Sequence, residues 1–128
     1  MPRTRVVFFK NADGSVPLLD WLDELNRRNR RVVLKCRARI KQLRQFGHEL
    51  RRPVADYLSD GIYELRLEAG GVNYRLLYFF SGDVAAVVSH GITKEARVPQ
   101  AEIRRALLTK REFEKDPDRH SYYEEEDN

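Results

Sequence analysis

The chain has 128 residues, 41% hydrophobic and 34% charged, enough for one domain with a single core and a heavily charged surface. Its one cysteine, Cys36, excludes an internal disulfide and a cysteine-based metal cluster, and no apolar run approaches the length of a membrane span. The formal charge of +4 conceals an asymmetry: residues 1–115 hold 23 bases and 14 acids, a net charge of +9, and from Asp116 six acids stand against one base. A body this basic points to a polyanionic partner, and the lone cysteine to a cytoplasmic setting.

Arg5 to Phe9 (RVVFF) is a short apolar run and reads as a first strand, too brief to be a signal peptide. Asn11-Ala-Asp-Gly14 is turn chemistry, Ser15 is positioned to cap a helix, and Pro17 suits its first turn. Leu18, Leu19, Trp21, Leu22 and Leu25 then recur at helical spacing, with Trp21 as a core anchor. A second helix is expected from about Arg30 to Phe46, stopped by Gly47 and buried along Val33, Cys36, Ile40 and Leu43. Its other faces carry Arg30, Arg31, Lys35, Arg37, Arg39, Lys41 and Arg44 with no acid between them, more than solubility needs and suited to nucleic acid. The short link between the two helices predicts an antiparallel αα-hairpin. His48 to Asp60, with Arg51-Arg52-Pro53, reads as an irregular linker.

Gly61 to Phe80 reads as a β-hairpin turning at Gly70-Gly71, because glycine accepts the positive φ of a two-residue loop. That loop pairs Tyr63 with Tyr78, Leu65 with Leu76 and Leu67 with Tyr74 on one apolar face. The other face sets Glu64 opposite Leu77, Arg66 opposite Arg75, and Glu68 opposite Asn73. A one-residue slip would scramble this sorting, which supports the register. Like charges directly opposite normally destabilise a sheet pair, so Arg66 and Arg75 suggest an anion site; Glu64 and Glu68 as their neutralising neighbours are the competing reading. Ser81-Gly82-Asp83 turns into a last strand, Val84 to His90. A two-residue loop at Gly82-Asp83 would place His90 opposite Arg75, whereas a three-residue loop would give that place to Ser89; the first is the working expectation. Pro99 starts a final helix with Ala101, Ile103, Ala106 and Leu107 inward. Residues 1–115 thus form one α+β domain, and 116–128 is expected to be an acidic, mobile tail.

No Gly-rich phosphate loop, nucleophile elbow or paired metal-ligand spacing is present, and His48, His90 and His120 are scattered, so neither metal nor cofactor is expected. What remains is a sheet face with Arg66, Arg75 and His90, and Lys94 just beyond the strand. That set suits cleavage of RNA by its own 2′-hydroxyl: arginines stabilise the dianionic phosphorane, and a histidine, a lysine or a tyrosine moves the protons.

The order of Tyr63-Glu-Leu-Arg66, Tyr74-Arg-Leu-Leu-Tyr78, His90-Gly91, Lys94, and Pro99 with Glu102, Ile103 and Ala106 resembles the RelE/HigB superfamily of toxins, in its phage-derived HigB-like branch. The resemblance spans roughly residues 5–112. It implies a RelE-like fold, a small mainly antiparallel sheet in the order β-α-α-β-β-β-α with two N-terminal helices packed on it. It also implies a ribosome-dependent, metal-independent endoribonuclease that cuts mRNA, inhibits translation and is neutralised by a cognate antitoxin of helix-turn-helix type. Carried over by position, Arg66, Arg75 and Lys94 would hold the scissile phosphate, with His90 beside them. Arg37, Lys41, Arg44, Arg51 and Arg52 would contact ribosomal RNA. The chain departs from the pattern at Glu64, where some members carry a lysine, and at Glu95, where relatives often carry a second base. Two other functions fit the same residues: a ParE-like toxin that poisons gyrase by binding, and a non-catalytic RNA-binding regulatory domain.

Overall fold

β1 (Arg5–Phe9) lies inside the sheet rather than at its margin, and that placement organises everything after it. The computed structural model describes residues 4–82, 85–93 and 96–124. They form three α-helices, α1 (Pro17–Arg28), α2 (Arg30–Phe46) and α3 (Gln100–Lys115), and five further strands. These are β2 (Ala55–Ser59), β3 (Ile62–Ala69), β4 (Val72–Ser81), β5 (Ala85–Thr93) and β6 (Ser121–Tyr122). The sheet runs β2-β3-β4-β5-β1-β6, antiparallel except where β1 pairs with β5. The fold is α+β, with α1 and α2 on one face and α3 on the other.

α1 is short enough to be marginal alone, so packing sustains it. Leu18, Leu22 and Leu25 are buried against the sheet, each contributing about 1.5–3 kcal/mol relative to exposure. Pro17 opens the helix as expected, but Ser15 does not cap it: the N-cap is Val16, and Ser15 donates through its N–H and hydroxyl to Asp13 Oδ1 at 2.9 and 2.6 Å. Asn29 ends α1 and begins α2, its side chain accepting from the Arg31 N–H at 3.0 Å. α2 buries Val32, Cys36, Ile40 and Leu43, so Val32 replaces Val33 on the stripe. Burial pushes the Cys36 thiol up to about 12, which makes it a small apolar filler rather than a nucleophile.

The β3–β4 hairpin has the expected register throughout, including Arg66 opposite Arg75 and Glu64 opposite Leu77. Gly70 and Gly71 take φ of +57° and +77° in its loop. One core, under α1 and α2, collects Val6, Phe8, Leu65, Leu76, Tyr78 and Val88. The second, under α3, collects Val7, Phe9, Leu77, Phe79, Ile92 and Phe113.

Three expectations are corrected. Part of the segment expected to be a linker is the edge strand β2, joined to β3 through Asp60 and Gly61, both at positive φ. Its sequence, ADYLS, hides the strand because an edge needs only one buried face, and Ala55 alone is fully covered. The β4–β5 pairing begins at Ser81–Ala85, one residue off the register of the expected two-residue loop, and a bulge at Ser89 adds a second residue: Tyr78 pairs with Val88, but Leu77 pairs with His90 and Arg75 with Ile92. His90 is therefore two residues away from the expected position opposite Arg75, though on the same face. Finally, residues 116–124 are not a loose tail. β6 adds to the free edge of β1, the His120 ring stacks on Phe9 at 5.1 Å, and His120 Nδ1 donates to the Lys10 carbonyl at 2.7 Å. Apolar and aromatic contacts hold this segment down despite its acidic composition. Residues 125–128 lie outside the described residues, as do Asp83 and Val84.

Candidate functional site

Two neighbouring rows of side chains cross the α3 face of the sheet. The registers align Asp56, Glu64, Leu77 and His90 in one row, and Arg66, Arg75 and Ile92 in the next. Alternation along each strand puts them on one face, and diagonal neighbours between rows are within reach of long side chains.

Glu64 connects the rows. Its Oε1 takes a charge-assisted hydrogen bond from Arg75 Nη1, and both side chains are nearly covered, 6% and 7% exposed. Arg75 Nη2 donates to the Ala96 carbonyl at 2.6 Å, in the chain leading to α3. Arg66 lies farther out: its side chain is 34% exposed and its Nε is 4.0 Å from Glu64 Oε2. The two arginines oppose each other in the ladder, but Glu64 lies beside both and Arg75 is directed inward.

His90 is 2% exposed. Its Nε2 is 3.0 Å from Glu102 Oε1 on α3, and its Nδ1 is 2.8 Å from Ser89 Oγ. Burial above all, then the nearby Arg105 guanidinium, pulls the ring down to about 4, against the opposite influence of Glu102. The neutral ring therefore donates Nε2–H to the Glu102 carboxylate and accepts the Ser89 hydroxyl proton at Nδ1. This arrangement fastens α3 to the sheet and leaves the imidazole out of reach of solvent. Lys94 and Glu95 lie outside the described residues.

The residues expected to meet RNA divide into two groups. Lys41, Arg51 and Arg52 are exposed. Arg37 and Arg44, by contrast, converge on Glu124 of the C-terminal segment: Arg37 Nη1 bonds its Oε1, and Arg44 Nη2 lies 3.8 Å from the same atom. Two more bases of α2 reach backbone carbonyls of β3, the exposed Lys35 donating to Glu68 at 3.2 Å and Arg39 to Arg66 at 2.7 Å. The basic helix is thus partly a clamp on β3 and on the chain end, with Arg30, Arg31 and Lys41 left on its solvent side.

Sequence reasoning overlooked Glu102 as the partner of His90, and a set of rings at the β2 end of the sheet: His48, Tyr57 and Tyr63. The Asp60-Gly61 dipeptide flanked by YLS and IYE was the available hairpin signal for β2, and with it for Tyr57. Arg52 meets Asp56 beside those rings at 2.7 Å, and its guanidinium holds the Asp56 carboxyl below the usual carboxylate range.

Among the described residues no group of three or more His, Cys, Asp or Glu could hold a metal ion, and no helix is long and apolar enough to cross a membrane. No curated protein matches the chain. A family model does: that of the phage-derived Gp49-like proteins (DUF891) matches residues 20–111, from α1 through most of α3, and with most of its length covered the chain belongs to that family.

Proposed function

We propose that the chain is the toxin of a toxin–antitoxin pair, a RelE/HigB-like endoribonuclease that cleaves mRNA on the ribosome and so stops translation. The observation that carries this reading is Arg66: a guanidinium one-third exposed on a sheet face, opposite Arg75 and oriented by Glu64. In this reading Arg66 binds the scissile phosphate and stabilises the phosphorane formed when the 2′-oxygen attacks, which is commonly the largest single contribution to such catalysis. Arg75 acts behind it by fixing Glu64. His90 holds α3 in place and takes no part in proton transfer. The exposed cations Lys41, Arg51 and Arg52 meet ribosomal RNA, and a cognate antitoxin covers the basic surface before release.

RNA binding without turnover is favoured by one observation: of the residues expected to perform the chemistry, Arg75 and His90 are buried against internal partners. A translation assay with purified ribosomes and a defined mRNA, read by primer extension, separates the two. Cleavage by the wild type, reduced on the order of a hundredfold in Arg66→Ala, supports the nuclease. Binding to ribosomes with intact mRNA supports the second reading. Intact mRNA together with inhibited gyrase supercoiling overturns both.

A further inference from the structure

The β2 end of the sheet carries a groove of about 640 Å³ that neither core fills. Its walls include His48, Arg51, Arg52, Asp56, Tyr57 and Tyr63. Tyr57 is 52% exposed, and its ring meets Tyr63 edge-on with centroids 5.0 Å apart. Tyr63 stacks at 5.4 Å on Tyr78, which is 1% exposed, so the outer rings rest on the core. On the other side the exposed His48 lies flat on Phe80, with 3.6 Å between centroids, and Phe80 meets Tyr63 edge-on at 5.3 Å. The result is a continuous aromatic surface anchored at its centre and open at both ends.

The charges beside it differ in how fully they are engaged. Arg52 donates through Nε to Asp56 Oδ2 at 2.9 Å, while Asp56 Oδ1 accepts the Tyr57 N–H at 3.0 Å, so the one carboxylate in the groove is neutralised and occupied. Arg51 uses only Nη1, donating to the carbonyls of His48 at 2.7 Å and Leu50 at 2.9 Å. Its Nε and Nη2 have no protein acceptor among the described residues. A structural role accounts for the Arg52–Asp56 pair. Tyr57 is itself fixed, its hydroxyl accepting the Gly61 N–H at 3.1 Å, yet its ring stays half-exposed beside a guanidinium held by its own backbone with donors to spare.

An aromatic face next to an available guanidinium matches one nucleotide, with its base on the ring and its phosphate on the cation. Only an unpaired base exposes its face, so the fitting polymer is single-stranded. We propose that this groove binds an unpaired nucleotide of single-stranded RNA, the base stacked on Tyr57 and the phosphate held by Arg51. The inference rests on the proposed function only for the choice of RNA as the polymer.

The test uses the isolated full chain without ribosomes, and fluorescence anisotropy of labelled hexaadenylate and of an abasic ribose-phosphate hexamer of equal charge. The wild type is expected to bind hexaadenylate about tenfold more tightly than the abasic hexamer. Tyr57→Ala removes that preference and Tyr57→Phe keeps it. Arg51→Ala weakens both oligomers alike and lowers the salt slope by about one. Thermal melts establish that each variant is folded. Equal binding of the two oligomers by the wild type, or an undiminished preference in Tyr57→Ala, overturns the proposal. The outcome is separable from the nuclease reading. Tyr57-dependent binding by a protein that never cleaves mRNA leaves the groove standing and sinks the nuclease; cleavage alongside a Tyr57-independent hexamer does the reverse.

Discussion

Arg75 forms its ion pair with Glu64, its diagonal neighbour, while Arg66, the residue directly opposite it in the β3–β4 ladder, stays on the solvent side. Removing Arg75 would strand a buried carboxylate, whereas removing Arg66 would not. Arg75→Ala is expected to lower stability by about 3–5 kcal/mol, and Arg66→Ala by no more than about 1 kcal/mol. The double variant Glu64→Leu, Arg75→Met should recover most of the loss, since it removes both charges together. Urea denaturation of the four proteins checks this; equal stability of the two single variants would refute it. Arg66, not Arg75, is therefore the residue at which a loss of activity can be read without a loss of fold.

His90 makes stability depend on pH in a defined window. Its folded value, about 4, lies below the ordinary 6.5. Above 6.5 the ring is neutral in both states and its contribution is complete. As the pH falls from 6.5 toward 4 the unfolded chain takes up a proton that the folded chain refuses, so stability declines, at a slope approaching about 1.4 kcal/mol per pH unit. Below the folded value the loss is complete and the dependence ends. Glu102 and Arg105 are the charged groups facing the ring. His90→Gln should flatten the curve over this window; urea midpoints for both proteins at several pH values test it, and parallel curves would refute the assignment.

Gly91 is required by Trp21. A Cβ at Gly91 would sit 2.3 Å from the indole Cε3, on the face where Trp21 Nε1 donates to Thr93 Oγ1 at 3.1 Å. The indole is large and tied to β5, so it cannot yield without breaking that bond. Gly91→Ala should cost about 1–3 kcal/mol. Trp21 is the sole tryptophan, so its emission reports the displacement directly. An unshifted emission maximum with unchanged stability would show that the indole gives way freely.

The C-terminal segment should behave as part of the domain. Deleting residues 116–128 uncovers the outer side of β1, where Phe8 stacks on Tyr122 at 6.0 Å and Phe9 on His120 at 5.1 Å. The loss should be several times that of Glu124→Gln, which weakens a partly exposed ion pair and is expected to cost about 1 kcal/mol or less. Thermal melts at low and high salt separate the two, because only the ion-pair contribution is screened. A truncation with no effect on stability would mean that β6 is not structural.

Most short-range patterns were legible. Gly70-Gly71 and strict alternation determined the β3–β4 register, because a slip of one residue would have exchanged the two faces. The 3.6-residue period located α1, α2 and α3, and erred at Val32 in α2 and in α3, where Ala101, expected inward, is exposed and Phe113 is buried instead. Aromatic anchors and breakers were also readable: Trp21 packs against the sheet, and Gly47 ends α2. The tertiary structure decided what those patterns leave open. A loop pairing one residue later than expected, at Ser81–Ala85, and the bulge at Ser89 each moved His90 by one position and together took it out of line with Arg75, since neither changes the local composition. Whether Arg75 met an anion or an internal carboxylate depended on the chain entering α3 passing over it. The docking of 116–124 depended on the free edge of β1 and on aromatic partners more than a hundred residues away. Charge and periodicity along a chain specify which side chains share a face. The desolvation that turns a charge pair inward, or leaves a guanidinium and a tyrosine open to a ligand, is set by what the distant chain lays over that face.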